Sequence, residues 1–295
     1  MIPVLPPEIE REVFETAAIR LPSVAPALLR VAKRVHIWIK PVLFRLLSLD
    51  RHGTYHDDKA LEVLSVVRTA MQTDEGRALV CPSVRHLCLG LPTTDMSAYE
   101  AYVLVAQLPN LENLLATASF ITPALLEALS QSGARLRRLA GPISRIFDPQ
   151  GSTVSPLSLP CVSCLTHLDI FDSVGEFTFV QELSTLASLT HLGISGSVAP
   201  LVGEILSTCP SLHVLLIQYS SLRNPLDPIE RFTDDDRVIA THFVNYWAEW
   251  KLAARTCRDV WDAAEEFITA KRVGTISSDV FIMNTISTQT LFGNF

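Results

Sequence analysis

Six short leucine-containing segments recur at nearly constant spacing through the middle of the chain. Each has an apolar or small residue at a starting position and again three and five residues later. The segments are Val84-Leu87-Leu89, Leu111-Leu114-Ala116, Leu136-Leu139-Gly141, Leu165-Leu168-Ile170, Leu189-Leu192-Ile194 and Leu212-Leu215-Ile217. The six starting positions are 27, 25, 29, 24 and 23 residues apart. A period of this length predicts a stack of structural repeats, which constrains the fold more than composition does.

A second regularity follows the same register. The eighth residue after the start is serine in five of the six segments, namely Ser119, Ser144, Ser173, Ser197 and Ser220. A serine hydroxyl can satisfy backbone groups where a chain leaves a strand. Apolar residues at helical spacing occupy 97–108, 123–132, 177–186 and 199–209. Each unit is therefore predicted to be one strand and one return helix.

These repeats resemble the leucine-rich-repeat family. One strand–helix unit cannot bury its apolar face alone, but stacked units can, so the resemblance implies an α/β fold with a curved sheet backed by helices. We expect this β/α solenoid to span residues 81–222. The third copy is the weakest, since glycine stands at 141 in its strand.

The first 50 residues carry a different pattern, which is predicted to form a small helical module over 1–51. Its order is Leu5-Pro6-Pro7-Glu8-Ile9, then Val13-Phe14, then Val31-Ala32-Lys33-Arg34-Val35, Trp38 and Pro41-Val42-Leu43-Phe44-Arg45. This order is similar to divergent fungal F-box proteins. The sequence departs from that pattern at Ala32, where the family has cysteine or serine.

The F-box resemblance implies a function in ubiquitin-dependent protein degradation. F-box modules dock on a Skp-type adaptor of a cullin–RING ubiquitin ligase, and the following repeats hold the target protein. The matching positions imply an adaptor-binding face made of Leu5, Pro6, Ile9, Phe14, Leu28, Val31 and Trp38. The alternative is that the same residues form only the core of the helical module.

Strand alternation predicts where a target would bind. If Leu168 and Ile170 point inward, then His167, Asp169 and Phe171 point to the concave face. The same alternation predicts a target-binding set of Asn113, Arg138, His167, Asp169, Phe171, His191, Ser195 and Gln218. His167 and His191 should lie on neighbouring strands, roughly 5 Å apart. A polar row on a binding surface explains them more simply than a metal site with Asp169.

The remaining segments complete the expected organisation. Residues 52–80 are predicted to be a linker helix, 223–274 a helical cap that shields the open edge of the last repeat, and 275–295 a poorly ordered tail. The cap contains Tyr246, Trp247, Trp250 and Trp261, which we expect in its core.

Charge and motif content limit the function classes. The net charge of −7 argues against a nucleic-acid partner, because phosphate binding needs clustered Lys and Arg. No apolar run reaches the roughly 18 residues that a spanning helix needs, and the N-terminus does not resemble a secretory signal. These features predict an intracellular protein, cytoplasmic or nuclear, without a membrane partner.

No catalytic, metal-binding or cofactor-binding constellation is apparent. Cys161 and Cys164 form one CxxC without a second pair, and Ser195 misses the GxSxG spacing by one residue. We therefore expect a non-catalytic substrate receptor of an SCF-type ligase. The alternatives are a leucine-rich-repeat scaffold with no ubiquitin role, and an enzyme whose unrecognised site would be a deep pocket with perturbed pKa values.

Overall fold

The structure is a computed structural model that describes residues 5–50, 58–91, 93–143, 146, 156–172, 178–195, 201–219, 235–242, 246–256, 258–278 and 280–283. Its centre is a nine-stranded sheet in which every pair of neighbouring strands is parallel and the spatial order follows the chain. The strands are β1 Leu46–Asp50, β2 His86–Gly90, β3 Asn113–Ala116, β4 Arg138–Gly141, β5 His167–Ile170, β6 His191–Ser195, β7 Val214–Tyr219, β8 Val238–His242 and β9 Ile282–Met283. The chain is thus an α/β protein, as the sequence predicts.

The leucines three residues after each repeat start form one ladder across six strands. The ladder runs through Leu87, Leu114, Leu139, Leu168, Leu192 and Leu215, each paired in register with the next. All six are at most 1% exposed. Slipping one strand by one residue would turn its leucine to the opposite face, so burial of the ladder sets the register. The six predicted strand positions are confirmed.

Three further strands lie outside the six predicted units. Leu47 and Leu49 of β1 pair with Leu87 and Leu89, although this stretch was expected to belong to the helical N-terminal module. Phe44 packs against the same core, so Phe44-Leu47-Leu49 repeats the spacing of the other units and the signal was present in the sequence. At the other end, β8 and β9 lie in segments expected to be a helical cap and a poorly ordered tail. Residues 284–295 of that tail lie outside the described residues.

Six helices cover the ladder face of the sheet. They are α4 Asp58–Met71, α5 Asp74–Ser83, α6 Ala98–Val105, α7 Pro123–Ser132, α8 Thr178–Leu183 and α9 Val202–Thr208. The expected linker thus consists of two helices, and their apolar residues join the same core as the ladder. Thr122 caps α7 by accepting a hydrogen bond from the Leu125 amide, with Pro123 in the first turn. Of the five serines at the eighth position, only Ser119 lies within the described residues.

Gly141 explains why the third repeat departs from the pattern. Its φ is +150°, a backbone conformation that side-chain-bearing residues rarely adopt. A Cβ at this position would overlap the Ala116 carbonyl oxygen and the Ile121 side chain. Glycine is therefore required for β4 to lie this close to the chain that leaves β3.

Three N-terminal helices form a small unit with its own core. They are α1 Pro7–Arg20, α2 Ala25–Leu28 and α3 Lys33–Val42. The buried residues Ala18, Ala25, Val35 and Ile39 form that core. These three helices are the "N-terminal module" below.

Two C-terminal helices, α10 Tyr246–Thr256 and α11 Val260–Arg272, lie across the face of the sheet opposite the ladder. Trp250 of α10 packs against Cys88, Leu115 and Ala140 of β2, β3 and β4. Trp261, Ala264 and Ile268 of α11 pack against the β7 and β8 residues Val214, Leu216 and Ile239. The two helices, called the "C-terminal arm" below, were expected to shield only the edge of the last repeat. They lie over the sheet face because that face offers them an apolar surface several strands wide.

None of the described helices is both long enough and apolar enough to cross a membrane.

Candidate functional site

The sheet face under the C-terminal arm holds the predicted target-binding residues. Asp169, His191 and Gln218 are buried, and the other five members of the set are half-buried: Asn113, Arg138, His167, Phe171 and Ser195. Several of these side chains contact the arm, because strand alternation directs them to that face of the sheet. The structure therefore brings most of the predicted set together, but beneath two helices of the same chain.

Asp169 is the centre of this face. The Tyr246 hydroxyl of the arm donates to Asp169 Oδ2 at 2.6 Å, and Gln218 Nε2 donates to Oδ1 at 2.8 Å. Burial raises the pKa of Asp169 to about 6, while the two hydrogen bonds and the positive charge of Arg138 oppose that rise. Burial, followed by the negative charge of Asp169, raises the pKa of Tyr246 well above its ordinary value. Tyr246 is therefore a neutral donor to the buried carboxyl group of Asp169.

Gly193 makes the Asp169–Gln218 hydrogen bond possible. Asp169 lies on β5 and Gln218 on β7, so the bond must pass over β6 between them. Gly193 is the β6 residue paired with Asp169, and a Cβ there would overlap both Asp169 Oδ1 and Gln218 Nε2. The absence of a side chain at 193 opens the space in which the two polar groups meet.

His167 and His191 form a stacked pair on β5 and β6. Their ring centroids are 4.1 Å apart and the planes differ by 8°, close to the separation expected from strand spacing. The edge of Trp261 meets both rings, at centroid distances of 5.6 and 5.4 Å. Burial, then the charges of Arg138 and His191, lower the pKa of His167 to about 2. Burial also lowers the pKa of His191, although Glu265 lies 3.1 Å from its Nε2 and opposes the shift. Two neutral rings can stack where two imidazolium ions would repel.

Ion pairs connect the arm to the first strand and to the middle of the sheet. Lys251 Nζ donates to Asp50 Oδ1 at 3.2 Å on β1, and Arg138 on β4 pairs with Asp259 at the start of α11. Asp50 is fully buried as a side chain, so the ammonium of Lys251 supplies the charge that its burial requires. These pairs fix the arm's position along the strands as well as its distance from them.

The described residues contain no set of side chains that could form the metal site considered for this face. No group of three or more His, Cys, Asp or Glu side chains there is arranged to hold a metal ion. The Cys161 thiol is buried and donates to the Leu126 carbonyl oxygen at 3.3 Å. Burial raises the pKa of that thiol, which keeps it protonated.

A small cavity separates the arm from the sheet beside Asp169. Its volume is 30 Å³, and its polar lining comes from Arg138, Asp169, Tyr246, Glu249 and Asp259. Burial raises the pKa of Glu249 to about 7. The space holds about one or two water molecules and is roughly tenfold smaller than a typical small-molecule pocket. The perturbed pKa values here follow from burial under the arm.

Three arm residues that contact the sheet, and the N-cap residue of α11, were not predicted as site residues: Tyr246, Lys251, Glu265 and Asp259. The aromatic residues of this segment were recognised as a packing surface. Nothing in the spacing indicates that the surface lies on distant strands, so sequence reasoning could not pair it with Asp50 or Asp169.

The predicted adaptor-binding residues divide into two groups. Leu5, Ile9 and Val31 are 55%, 46% and 57% exposed, and Pro6 is also exposed. The remaining three, Phe14, Leu28 and Trp38, are half-buried and pack against the core of the N-terminal module. The structure therefore leaves the first group free to contact another protein, while the second group supports the module from inside.

No family model and no curated protein matches this chain.

Proposed function

We propose that the chain is a non-catalytic substrate receptor of an SCF-type ubiquitin ligase. In this proposal the N-terminal module is a divergent F-box that binds a Skp-type adaptor, and the rest is a leucine-rich-repeat-like solenoid that binds a target protein. The observation that carries the proposal is the exposed apolar surface of the N-terminal module.

That surface is concentrated in a short part of the chain. Seven of the twelve exposed large hydrophobic residues in the described structure lie between residues 5 and 43: Leu5, Ile9, Val13, Leu21, Val31, Ile37 and Leu43. Single exposed apolar residues are ordinary, but such a concentration is typical of a surface that binds another protein. The F-box resemblance covers the same residues, so pattern and exposure support the same role.

The sequential parallel sheet supports the repeat part of the proposal. Consecutive strands are neighbours, and the repeated leucines form one ladder, which is the arrangement that stacked strand–helix units produce. Target binding at the eight predicted sheet residues stays a prediction. Because the C-terminal arm lies over those residues, a target that reaches them must displace the arm.

The test is a binding measurement between the full chain and a purified Skp-type adaptor. A Leu5→Ala/Ile9→Ala/Val31→Ala variant removes apolar area that the folded chain exposes, so we expect it to weaken binding by about tenfold or more while circular dichroism stays unchanged. A matched control is Val66→Ala/Tyr99→Ala/Val103→Ala, which removes exposed apolar residues from α4 and α6. The proposal fails if the folded wild type does not bind the adaptor, or if both variants weaken binding equally.

A second candidate is a leucine-rich-repeat scaffold whose N-terminal helices only cap the sheet. The observation that favours it is that α1 lies beside α10 and α3 beside α5, so the module packs on the rest of the protein. This candidate predicts no adaptor binding and a loss of sheet stability when the module is destabilised by Val35→Ala.

A third candidate is an enzyme that acts beneath the C-terminal arm. The raised pKa values of Asp169 and Glu249 in one cavity favour it. The cavity volume of 30 Å³ opposes it, because a substrate would need the arm to move first.

A further inference from the structure

A second cleft lies where the N-terminal module, the start of β1 and the arm helix α10 meet. Its volume is 110 Å³, and its walls are mostly apolar. The lining residues are Ala18, Ile19, Pro22, Val42, Leu43, Arg45, Leu46, Ala254 and Arg255. Among the described residues that line it, the charged groups are two arginines, with no carboxylate.

Arg45 is half-buried, and no carboxylate of the described residues pairs with it. Its Nε is inaccessible to water and has no hydrogen-bond partner among the described residues. A buried donor left unsatisfied costs free energy, and the cost is larger when the group is charged. The same chain satisfies Arg138 with Asp259, so the fold can place a carboxylate beside a half-buried arginine where it needs one.

Arg255 completes the cationic side of the cleft. The surrounding protein lowers its pKa by desolvation although the side chain is solvent-accessible, a combination expected of a group in the wall of a cleft. No salt bridge between described residues involves Arg45 or Arg255. A positive charge is favourable in the last turn of a helix, which explains the presence of Arg255 in α10. It does not explain why Arg255 shares a cleft with Arg45, a second arginine without a salt bridge among the described residues.

We infer that this cleft binds an oxyanion with a small apolar group attached, in which a carboxylate or a phosphate accepts hydrogen bonds from Arg45 and Arg255. The planar guanidinium suits both anions, because its N–H groups match two oxygens at once. The apolar walls, which include Val42, Leu43 and Leu46, suit a short hydrocarbon group. The volume of 110 Å³ admits a small anion of this kind and is below the size of drug-like ligand sites.

A bound anion would connect three separate parts of the chain. Arg45 precedes β1, Arg255 lies in the last turn of α10, and the apolar lining includes residues of α1 and α3. Occupancy should therefore stabilise the contact between the N-terminal module and the C-terminal arm. This inference does not depend on the proposed ligase function.

The test is isothermal titration of the full chain with butyrate and, separately, with inorganic phosphate, at constant ionic strength maintained with sodium chloride. We expect one site per chain with a dissociation constant of about 10 mM or lower for at least one probe. Tighter binding of butyrate would identify a carboxylate with an apolar tail as the ligand class, and tighter binding of phosphate would identify a phosphate.

Three variants and one control locate the site. Arg255→Gln and Arg45→Gln should each weaken binding by about tenfold or more, because each removes a charge-assisted contact. Ala254→Met keeps both arginines but fills the cleft, and should also abolish binding. Arg135→Gln changes an exposed arginine outside the cleft and should leave binding unchanged.

Two results would overturn the inference. One is no binding of either probe at about 10 mM, the weakest affinity that a specific small-anion site would show here. The other is binding that Arg255→Gln and Ala254→Met leave unchanged. Should Arg45→Gln fail to fold by circular dichroism, these two variants decide the question, since residues 254 and 255 are accessible positions on α10.

Discussion

The two faces of the sheet are stabilised in different ways. On the ladder face, one apolar residue repeats at equivalent positions on strand after strand, and helices α4–α9 cover it. On the arm face, neighbouring strands carry different groups, such as Asp50, Asp169 and His191, each with its own partner on α10 or α11. On the ladder face each leucine is buried in much the same way, so the contributions of the leucines to stability should add. The arm face depends on specific polar contacts, and losing one partner of such a contact leaves the other buried and unsatisfied, which lowers stability.

The largest effect should follow from a break in the ladder. Leu168→Ala removes a fully buried side chain in the middle strand and leaves a cavity, so we expect a loss of about 2–5 kcal/mol in the free energy of unfolding. Urea denaturation measures it. Val66→Ala, at an exposed position on α4, should change stability by less than about 0.5 kcal/mol. Equal losses at the two positions would contradict the assignment of the ladder to the core.

The next largest effect should be a loss of stability of the arm face in acid. Burial holds the pKa values of His86 and His167 at about 3 and about 2, below the ordinary value of 6.5, so their stabilising contribution is complete above pH 6.5 and is lost as pH falls toward those values. Burial raises the pKa values of Asp169 and Glu249 to about 6 and about 7, so their contribution is complete below the ordinary values of 3.8 and 4.5 and is lost as pH rises through 6 and 7. Between about pH 4.5 and 6, the protons that the two imidazoles take up on unfolding are therefore nearly balanced by those that the two carboxyls release, so stability changes little with pH.

Below about pH 4.5 the unfolded carboxyls become protonated as well, so they cancel less and less of the imidazole effect. Unfolding then takes up slightly more than one proton in net terms, so stability should fall by about 1–2 kcal/mol per pH unit. Urea denaturation at a series of pH values gives this slope. His86→Gln/His167→Gln should make it shallower, and an unchanged slope in that variant would show that other groups cause the acid sensitivity.

A smaller effect is expected at the glycine of β6. Gly193→Ala forces a methyl group into the Asp169–Gln218 contact, and we expect a loss of about 1–3 kcal/mol. Gln218→Ala in the same chain opens that space, so the double variant should lose less stability than the sum of the two single variants. Additive losses in this double-mutant cycle would mean that Gly193 does not act through the contact.

The smallest effect should come from Glu265, whose side chain is 55% exposed beside His191. Glu265→Gln removes a charged but largely solvent-exposed partner of the neutral His191 ring, so the change in unfolding free energy should stay below about 1 kcal/mol. The variant should also lower the pKa of His191 further, because Glu265 opposes the effect of burial on that ring. Nuclear magnetic resonance titration of the His191 ring measures this, and a rise in its pKa would reverse the assigned role.

The ladder face was predictable because periodic burial is visible in the sequence. The six segments that begin at Val84 predicted strand positions and register. Even β1 carries the pattern through Phe44, Leu47 and Leu49, although it was assigned to the helical N-terminal module. β8 was not predicted as a strand because its repeat begins with Asp235, at the position where the other repeats have an apolar residue. Alternation also placed His167 and His191 side by side on the opposite face.

The amino-acid sequence by itself determined the repeat, its register and the identity of the residues on each face, because local periodicity decides which side chains one strand can bury. Only the tertiary structure decided that the C-terminal arm covers the second face, that Lys251 meets Asp50 and Tyr246 meets Asp169, and that Leu5 and Ile9 stay exposed. Such contacts join residues up to 201 positions apart and occur once each. A single long-range contact leaves no periodic trace in the chain, so it is decided by the shapes and charges of surfaces that exist only after folding.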